Sequence, residues 1–253
     1  MSLVKLGLLY RQGNDIPEAN EMSVSDLCDD YGFRIICPKA ADGDAWQSTF
    51  DTDPILRITG ADRLREMKQA YRARNIDLAP WVVYRGRDWI AEATLHAEIA
   101  NICGSVIVDF EWKYAGFADS GTFEDAVAYF AKLRELAPEA TIVFCPDPRQ
   151  VKYGSFDASQ IWPHVSGYSP QQYWTDFQRD VLDVTDEALA TCPEAMPYWP
   201  MMPGNGTGVD LGAAINRVST MPNLGGVLIF QRVGLNTKAR DILNAWAAPQ
   251  NTP

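Results

Sequence analysis

Two carboxylates close a single apolar run, Ser105-Val-Ile-Val-Asp-Phe-Glu111. Side chains of a strand alternate between its faces, so Ile107, Asp109 and Glu111 share one face while Val106, Val108 and Phe110 share the other. The wholly apolar set suits packing against helices, which turns Asp109 and Glu111 toward the interior at the end of the strand. Two like charges about 6–7 Å apart, one strand step, push each other toward the protonated form. A carboxyl that keeps its proton near neutral pH is a general acid. The structural alternative is a pair of carboxylates neutralised by a nearby cation.

The elements that must carry this pair alternate between strand-length apolar runs and amphipathic helices from end to end. The expected strands are 4–10, 33–38, 77–84, 105–111, 141–146, 160–165, 196–201 and 225–231. Their centres recur about every 32 residues, and a βα unit takes roughly 30, so eight units fill the 253 residues. The fold class is α/β: a single (β/α)8 TIM barrel over residues 1–247, followed by a flexible tail, 248–253. Only about twenty residues separate the fifth and sixth strand centres, and Asp147–Ser159 is rich in Pro, Gly and Asp, so the fifth βα unit is expected to be irregular. No GxGxxG follows an early strand, which disfavours an open dinucleotide-binding sheet.

Helix ends are also legible. Ser23–Asp26 reads as a capping box with Gly32 as the stop. Leu64, Met67 and Tyr71 share one helical face, with Asn75 able to take a left-handed end. A third helix stops at Gly104, and Thr122–Asp125 caps a fourth that ends by Pro138. Further helices are expected over 186–191, 210–221 and 237–246.

Functional groups of such a barrel stand at the C-terminal ends of its strands. Those ends also offer Tyr10, Arg11, Lys39, Asp42, Tyr84, Arg85, Asp147, His164, Tyr168, Trp199 and Gln231. Asp147 is a third carboxylate, for activating water or acting as nucleophile, or else a Pro-flanked turn residue. Lys39 is either a Schiff-base lysine or the cation that neutralises Asp109 or Glu111. Tyr10, Tyr168, Trp199 and Gln231 are candidate substrate contacts, Trp199 as an aromatic floor.

The net charge of −11 argues against nucleic-acid and anionic-membrane binding, which need clustered positive charge. Two histidines and five scattered cysteines without a CxxC fit no metal site, and no cofactor is expected. The scattered thiols and the lack of a signal-peptide pattern lead to the expectation of a cytoplasmic chain, with signal-independent export as the other route.

The Asp-x-Glu ending the fourth strand resembles that of glycoside hydrolase family 18 chitinases and family 25 lysozymes. The stretch Gly32-Phe-Arg-Ile-Ile-Cys-Pro-Lys-Ala-Ala-Asp-Gly43 is similar to the second strand of family 25 and its following turn. The resemblance implies a barrel acting on a β-linked, N-acetylated glycan of the peptidoglycan or chitin type. Glu111 would be the proton donor, Asp109 would steady the 2-acetamido group, and Tyr168 would hold it. The first strand, ending Leu-Leu-Tyr-Arg11, lacks the Asp of family 25, and Gly104 and Ile107 stand where family 18 has further aspartates. Those departures keep a non-catalytic carbohydrate-binding barrel as the alternative, and a lyase using Lys39 as a third.

Overall fold

The computed structural model describes residues 5–16, 20–112, 121–231 and 235–248. Eight parallel strands run in the order of a curled sheet: β1 Lys5–Tyr10, β2 Ile35–Asp42, β3 Trp81–Val83, β4 Ser105–Phe110, β5 Thr141–Pro146, β6 Gly167–Tyr168, β7 Met201–Pro203 and β8 Gly226–Phe230. β1 pairs with both β2 and β8, through Gly7–Ile35 and Lys5–Gly226. The sheet's two ends meet through parallel bridges, Tyr168 to Tyr198 and Gln171 to Met201, which close the (β/α)8 TIM barrel.

Helices lie outside: α1 Glu21–Tyr31, α2 Ala61–Arg72, α3 Trp89–Cys103, α4 Phe123–Leu136, α5 Pro148–Lys152, α6 Trp174–Phe177, α7 Val181–Ala190, α8 Gly208–Val218 and α9 Thr237–Ala247. Their ends follow local chemistry. Gly32, Asn75 and Gly104 take left-handed conformations at helix ends. Thr122 and Asp125 form a reciprocal capping box on α4. Leu64, Met67 and Tyr71 are the buried residues of α2. The fifth unit is irregular as expected: α5 is a short helix, followed by 3-10 turns at Ala158–Gln160 and Trp162–His164.

Four sequence expectations are corrected. The sixth strand is not 160–165, because Pro163 has no N–H to give a ladder and Trp162–His164 coils instead. β6 begins only at Gly167. The seventh strand starts at Met201 and not at Met196, since Pro197 and Pro200 lack the N–H groups of a continuous ladder and leave only isolated bridges at Tyr198 before it. Pro80 likewise divides the expected third strand, leaving Asp77–Leu78 as a separate piece on β2. Asn20, not Ser23, caps α1, and accepts from the backbone N–H groups of Met22 and Ser23. The five terminal residues of the expected tail lie outside the described residues.

Strand alternation makes two separate apolar layers. Leu9, Ile35, Cys37, Trp81, Val83, Ile107, Val143, Cys145, Met201 and Leu228 fill the barrel interior. Val106, Val108, Phe110 and Phe144 face the helices. Phe144 meets Phe110, Phe130 and Trp162 at ring-centroid distances of 5.4–5.5 Å. Truncating a fully buried aromatic hub leaves a cavity that its ring neighbours cannot fill. Phe144→Ala should therefore lower stability by about 3–5 kcal/mol in urea unfolding, and a loss under about 1 kcal/mol would show that this layer does not carry the packing assigned to it.

Candidate active site

Strand β4 delivers its two carboxyls to the barrel mouth. Asp109 stands in register with Val83 and Cys145, so both neighbours on the sheet are apolar. A cavity of about 270 Å³ opens above them, lined by Asp109 and Glu111 together with Lys39, Arg85, Gln171 and Tyr173. Trp81 and Phe230 form its aromatic wall, their rings edge-on at 6.2 Å, and Phe230 stacks on Tyr173 at 5.4 Å. Aromatic faces of this kind suit the apolar face of a sugar ring. A second cleft of about 230 Å³ adjoins it and shares Glu111, Gln171 and Tyr173, so Glu111 borders both spaces.

Gln171 binds the pair. It is 4% exposed, and its Nε2 donates to Asp109 Oδ1 at 2.7 Å. Burial, then the Glu111 charge, pushes Asp109 well above the usual carboxylate range, against the pull of Lys39 and Arg85. Burial raises Glu111 as well, with Asp147 adding to it and Gln171, Arg85 and Arg149 opposing. The two carboxyls titrate as a pair that retains a proton beyond the ordinary range.

Cations surround this pair through a third carboxylate. Asp42, at the end of β2, accepts from Lys39 Nζ at 2.6 Å and from Arg85 Nη2 at 2.8 Å. Burial alone would raise Asp42, but these hydrogen bonds and charges outweigh it and hold its pKa at about 2. Lys39 also lies 5.3 Å from the Trp81 ring centroid. Its ion pair is with Asp42 and not with Asp109 or Glu111 as the neutralising alternative had it; its charge acts on Asp109 only through space.

The remaining sequence candidates divide sharply. Asp147 reaches the second cleft, but its carboxylate caps α5 and forks onto Arg149, with Nε at 3.0 Å from each oxygen. It is held as a structural anion beside Glu111. Gln231 adopts φ 65° at the end of β8, and with its amide oriented to suit its neighbours its oxygen accepts from Arg11 Nε at 2.9 Å. Arg11 lines the mouth cavity.

Tyr10 and Tyr168 do not reach the cavity: both are buried in the outer layer, and the Tyr168 hydroxyl meets Thr191 Oγ1 at 2.7 Å. Alternation explains it, since Leu9 takes the inward position on β1 and Tyr10 the outward one. Trp199 is at the wrong end. It precedes β7, packs on Gly225 and Gly226, and lines a cavity of about 480 Å³ with Lys5, Ser105 and Thr141 at the strands' N-terminal ends. Tyr84 packs outward on Phe110 and Tyr129, and His164 lies in a 3-10 turn before β6.

Gln171, Tyr173, Trp81 and Phe230 were not singled out from the sequence. The signal for the first two was the alternation of Gln171 and Tyr173 in Ser169-Pro-Gln-Gln-Tyr173, read from the correct start of β6. Among the described residues no cluster of His, Cys, Asp and Glu is arranged to hold a metal, and no helix is long and apolar enough to cross a membrane.

No protein-family model matches the chain, and no curated protein is similar to it in sequence. Solved structures are similar in fold. A GH18 chitinase from Pseudoalteromonas aurantia superposes with a TM-score of 0.63 at 15% identity, over 96% of this chain and 99% of that one. A GH113 beta-1,4-mannanase gives 0.67 at 11% identity, over 98% and 99%. An endo-beta-N-acetylglucosaminidase from Cordyceps militaris gives 0.58 at 13% identity, over 100% and 92%. These likenesses are of the barrel itself.

An acid whose pKa is raised by folding binds more protons in the folded than in the unfolded chain. Its contribution to stability is then most favourable at low pH, and falls as pH rises from about 4, the unfolded carboxylate value, toward the folded one. The double variant D109N/E111Q removes both groups with little change of shape. It should be more stable than the parent chain at pH 7 in urea unfolding, with the advantage shrinking as pH falls toward about 4 and gone below it. Equal stability at neutral pH would show that the pair carries no strain.

Proposed function

We propose that the chain is a glycoside hydrolase acting on a β-linked, N-acetylated glycan of the chitin or peptidoglycan type. The observation that carries this reading is the Asp109–Glu111 pair, facing an aromatic-walled cavity at the C-terminal end of β4 with a retained proton. The similar barrels include a chitinase and an endo-beta-N-acetylglucosaminidase, which agrees with it.

In this mechanism the sugar to be cleaved occupies the mouth cavity against Trp81 and Phe230, and the leaving portion extends into the cleft beyond Glu111. Glu111 gives its proton to the glycosidic oxygen as the bond to the anomeric carbon breaks. Burial favours Asp109 as the protonated member of the free pair, so this route requires that proton to pass to Glu111 as substrate binds, leaving Asp109 ionised. Asp109 then accepts from the substrate's acetamido N–H, so that the acetamido oxygen closes onto the anomeric carbon in place of a protein nucleophile. Two-carboxylate schemes of glycoside hydrolysis allow this substrate-assisted exception. Water then opens the cyclic intermediate, its oxygen bonding to the anomeric carbon while the Glu111 carboxylate takes its proton. Tyr173 takes the substrate-holding role expected of Tyr168, because it is the tyrosine that reaches the cavity.

The locked state of Asp147 supports this route over one in which that residue attacks the sugar. Glu111→Gln preserves shape and removes the transferable proton. Hydrolysis of a soluble N-acetylglucosamine oligomer or of peptidoglycan should fall by about 100-fold or more, while oligosaccharide binding measured by calorimetry stays close to that of the parent. Undiminished turnover in E111Q would remove Glu111 from the mechanism. Binding without any turnover by the parent chain would assign the barrel to carbohydrate binding alone.

A further inference from the structure

Helix α3 buries two polar side chains that the mechanism above does not use. Glu92 and His96 are both 0% exposed and lie four residues apart, on the same face of the helix. Glu92 accepts the backbone N–H groups of Arg85 at 2.8 Å, Gly86 at 3.2 Å and Arg87 at 2.9 Å, which make up the exit of β3. His96 Nε2 meets the carbonyl oxygen of Gly43, in the exit of β2, at 2.9 Å, and its Nδ1 meets the Tyr129 hydroxyl at 2.6 Å. Burial depresses the imidazole to about 3, so it is neutral. An Nε2–H donating to Gly43 and an Nδ1 accepting from Tyr129 is the tautomer that satisfies both contacts.

These two exits carry Asp42 and Arg85. Gly43 itself takes φ 62°, and a Cβ there would stand 3.2 Å from Arg85 Cγ, so the two loops are in close contact. We propose that Glu92 and His96 are positioning residues for the candidate active site: together they hold the exits of β2 and β3 so that the Asp42–Arg85 pair faces Asp109 and Glu111. This rests on the hydrolase reading only for its kinetic consequence, because the geometry of the Asp42–Arg85 pair can be measured without substrate.

The burial of a carboxylate and an imidazole is costly unless each is satisfied, and here their partners are the loops that need fixing. The charge environment makes Arg85 consequential. Asp109 and Glu111 face Lys39 and Asp42 from β2, Arg85 from the β3 exit and Arg11 from the β1 exit. On the other side they face Asp147 and Arg149 after β5, with the Cys145 thiol and the Tyr173 hydroxyl between. Among these, Arg85 favours the ionised form of both carboxyls of the acid pair.

The experiment compares the parent chain with Glu92→Gln, whose amide keeps the size but turns an N–H₂ toward backbone donors. Three readouts are expected. Amide hydrogen exchange at residues 85–87 accelerates. The Asp42 carboxyl, followed by 13C NMR, titrates higher, moving from about 2 toward the ordinary value near 4. The high-pH limb of the hydrolysis profile moves upward, because Glu111 and Asp109 lose part of a neighbouring positive charge, and Arg85→Gln moves it the same way. A folded E92Q protein with unchanged Asp42 titration overturns the proposal, whatever its activity. If E92Q does not fold, His96→Gln decides by the same Asp42 titration. An inactive parent chain would overturn the hydrolase reading, and the Asp42 titration would still decide the positioning role.

Discussion

Two carboxyl groups one strand step apart, turned into the same confined space, are the constraint around which this barrel's mouth is arranged. Neither Asp109 nor Glu111 can be taken from water cheaply, and each makes the other's ionisation harder. The response has three parts. The Gln171 amide ties down Asp109. Lys39 and Arg85 bring positive charge close while both are bound to Asp42. A retained proton removes what repulsion is left, and that proton is what an acid catalyst has to offer.

Routing the cations through Asp42 has a further effect. A cation committed wholly to Glu111 would hold it ionised, and so would remove the general acid. Two cations neutralised in part by their own carboxylate moderate the field without abolishing the shift. The arrangement depends on loops rather than strands, since Asp42 and Arg85 stand at or beyond the ends of β2 and β3. Loops hold such positions only where their backbone groups are bonded. Glu92 and His96 on α3 provide those bonds, which links the chemistry at the mouth to a helix packed outside the barrel.

Much of this was legible from the residues, and the reasons for the rest are local. On β4 the apolar face is unbroken, so alternation alone assigned Asp109 and Glu111 to the interior and Phe110 to the helices. Gly32, Asn75, Gly104 and the Thr122–Asp125 box end their helices through φ preference and N–H satisfaction, effects confined to a few residues. The same period-two reasoning failed where prolines stand inside apolar runs. Pro163, Pro197 and Pro200 shortened β6 and β7, and every residue placed from their expected ends moved with them. Tyr168 became an outer-layer residue, Trp199 fell to the far end of the barrel, and Tyr173 entered the site unannounced. Tyr10 failed for a simpler reason, the parity of one residue on β1. The polar clamp on α3 left no local trace, because Glu92 and His96 bond to loops outside their helix, His96 to Gly43 fifty-three residues away.

The account stands on a proton that Asp109 and Glu111 retain together. The most direct measurement is a pH titration of their side-chain carboxyl carbons by 13C NMR, assigned with D109N and E111Q. The account predicts that one of the two steps lies well above the ordinary carboxylate range and that removing either group lowers the titration of the other. Two independent titrations near pH 4, unmoved by either substitution, would contradict it.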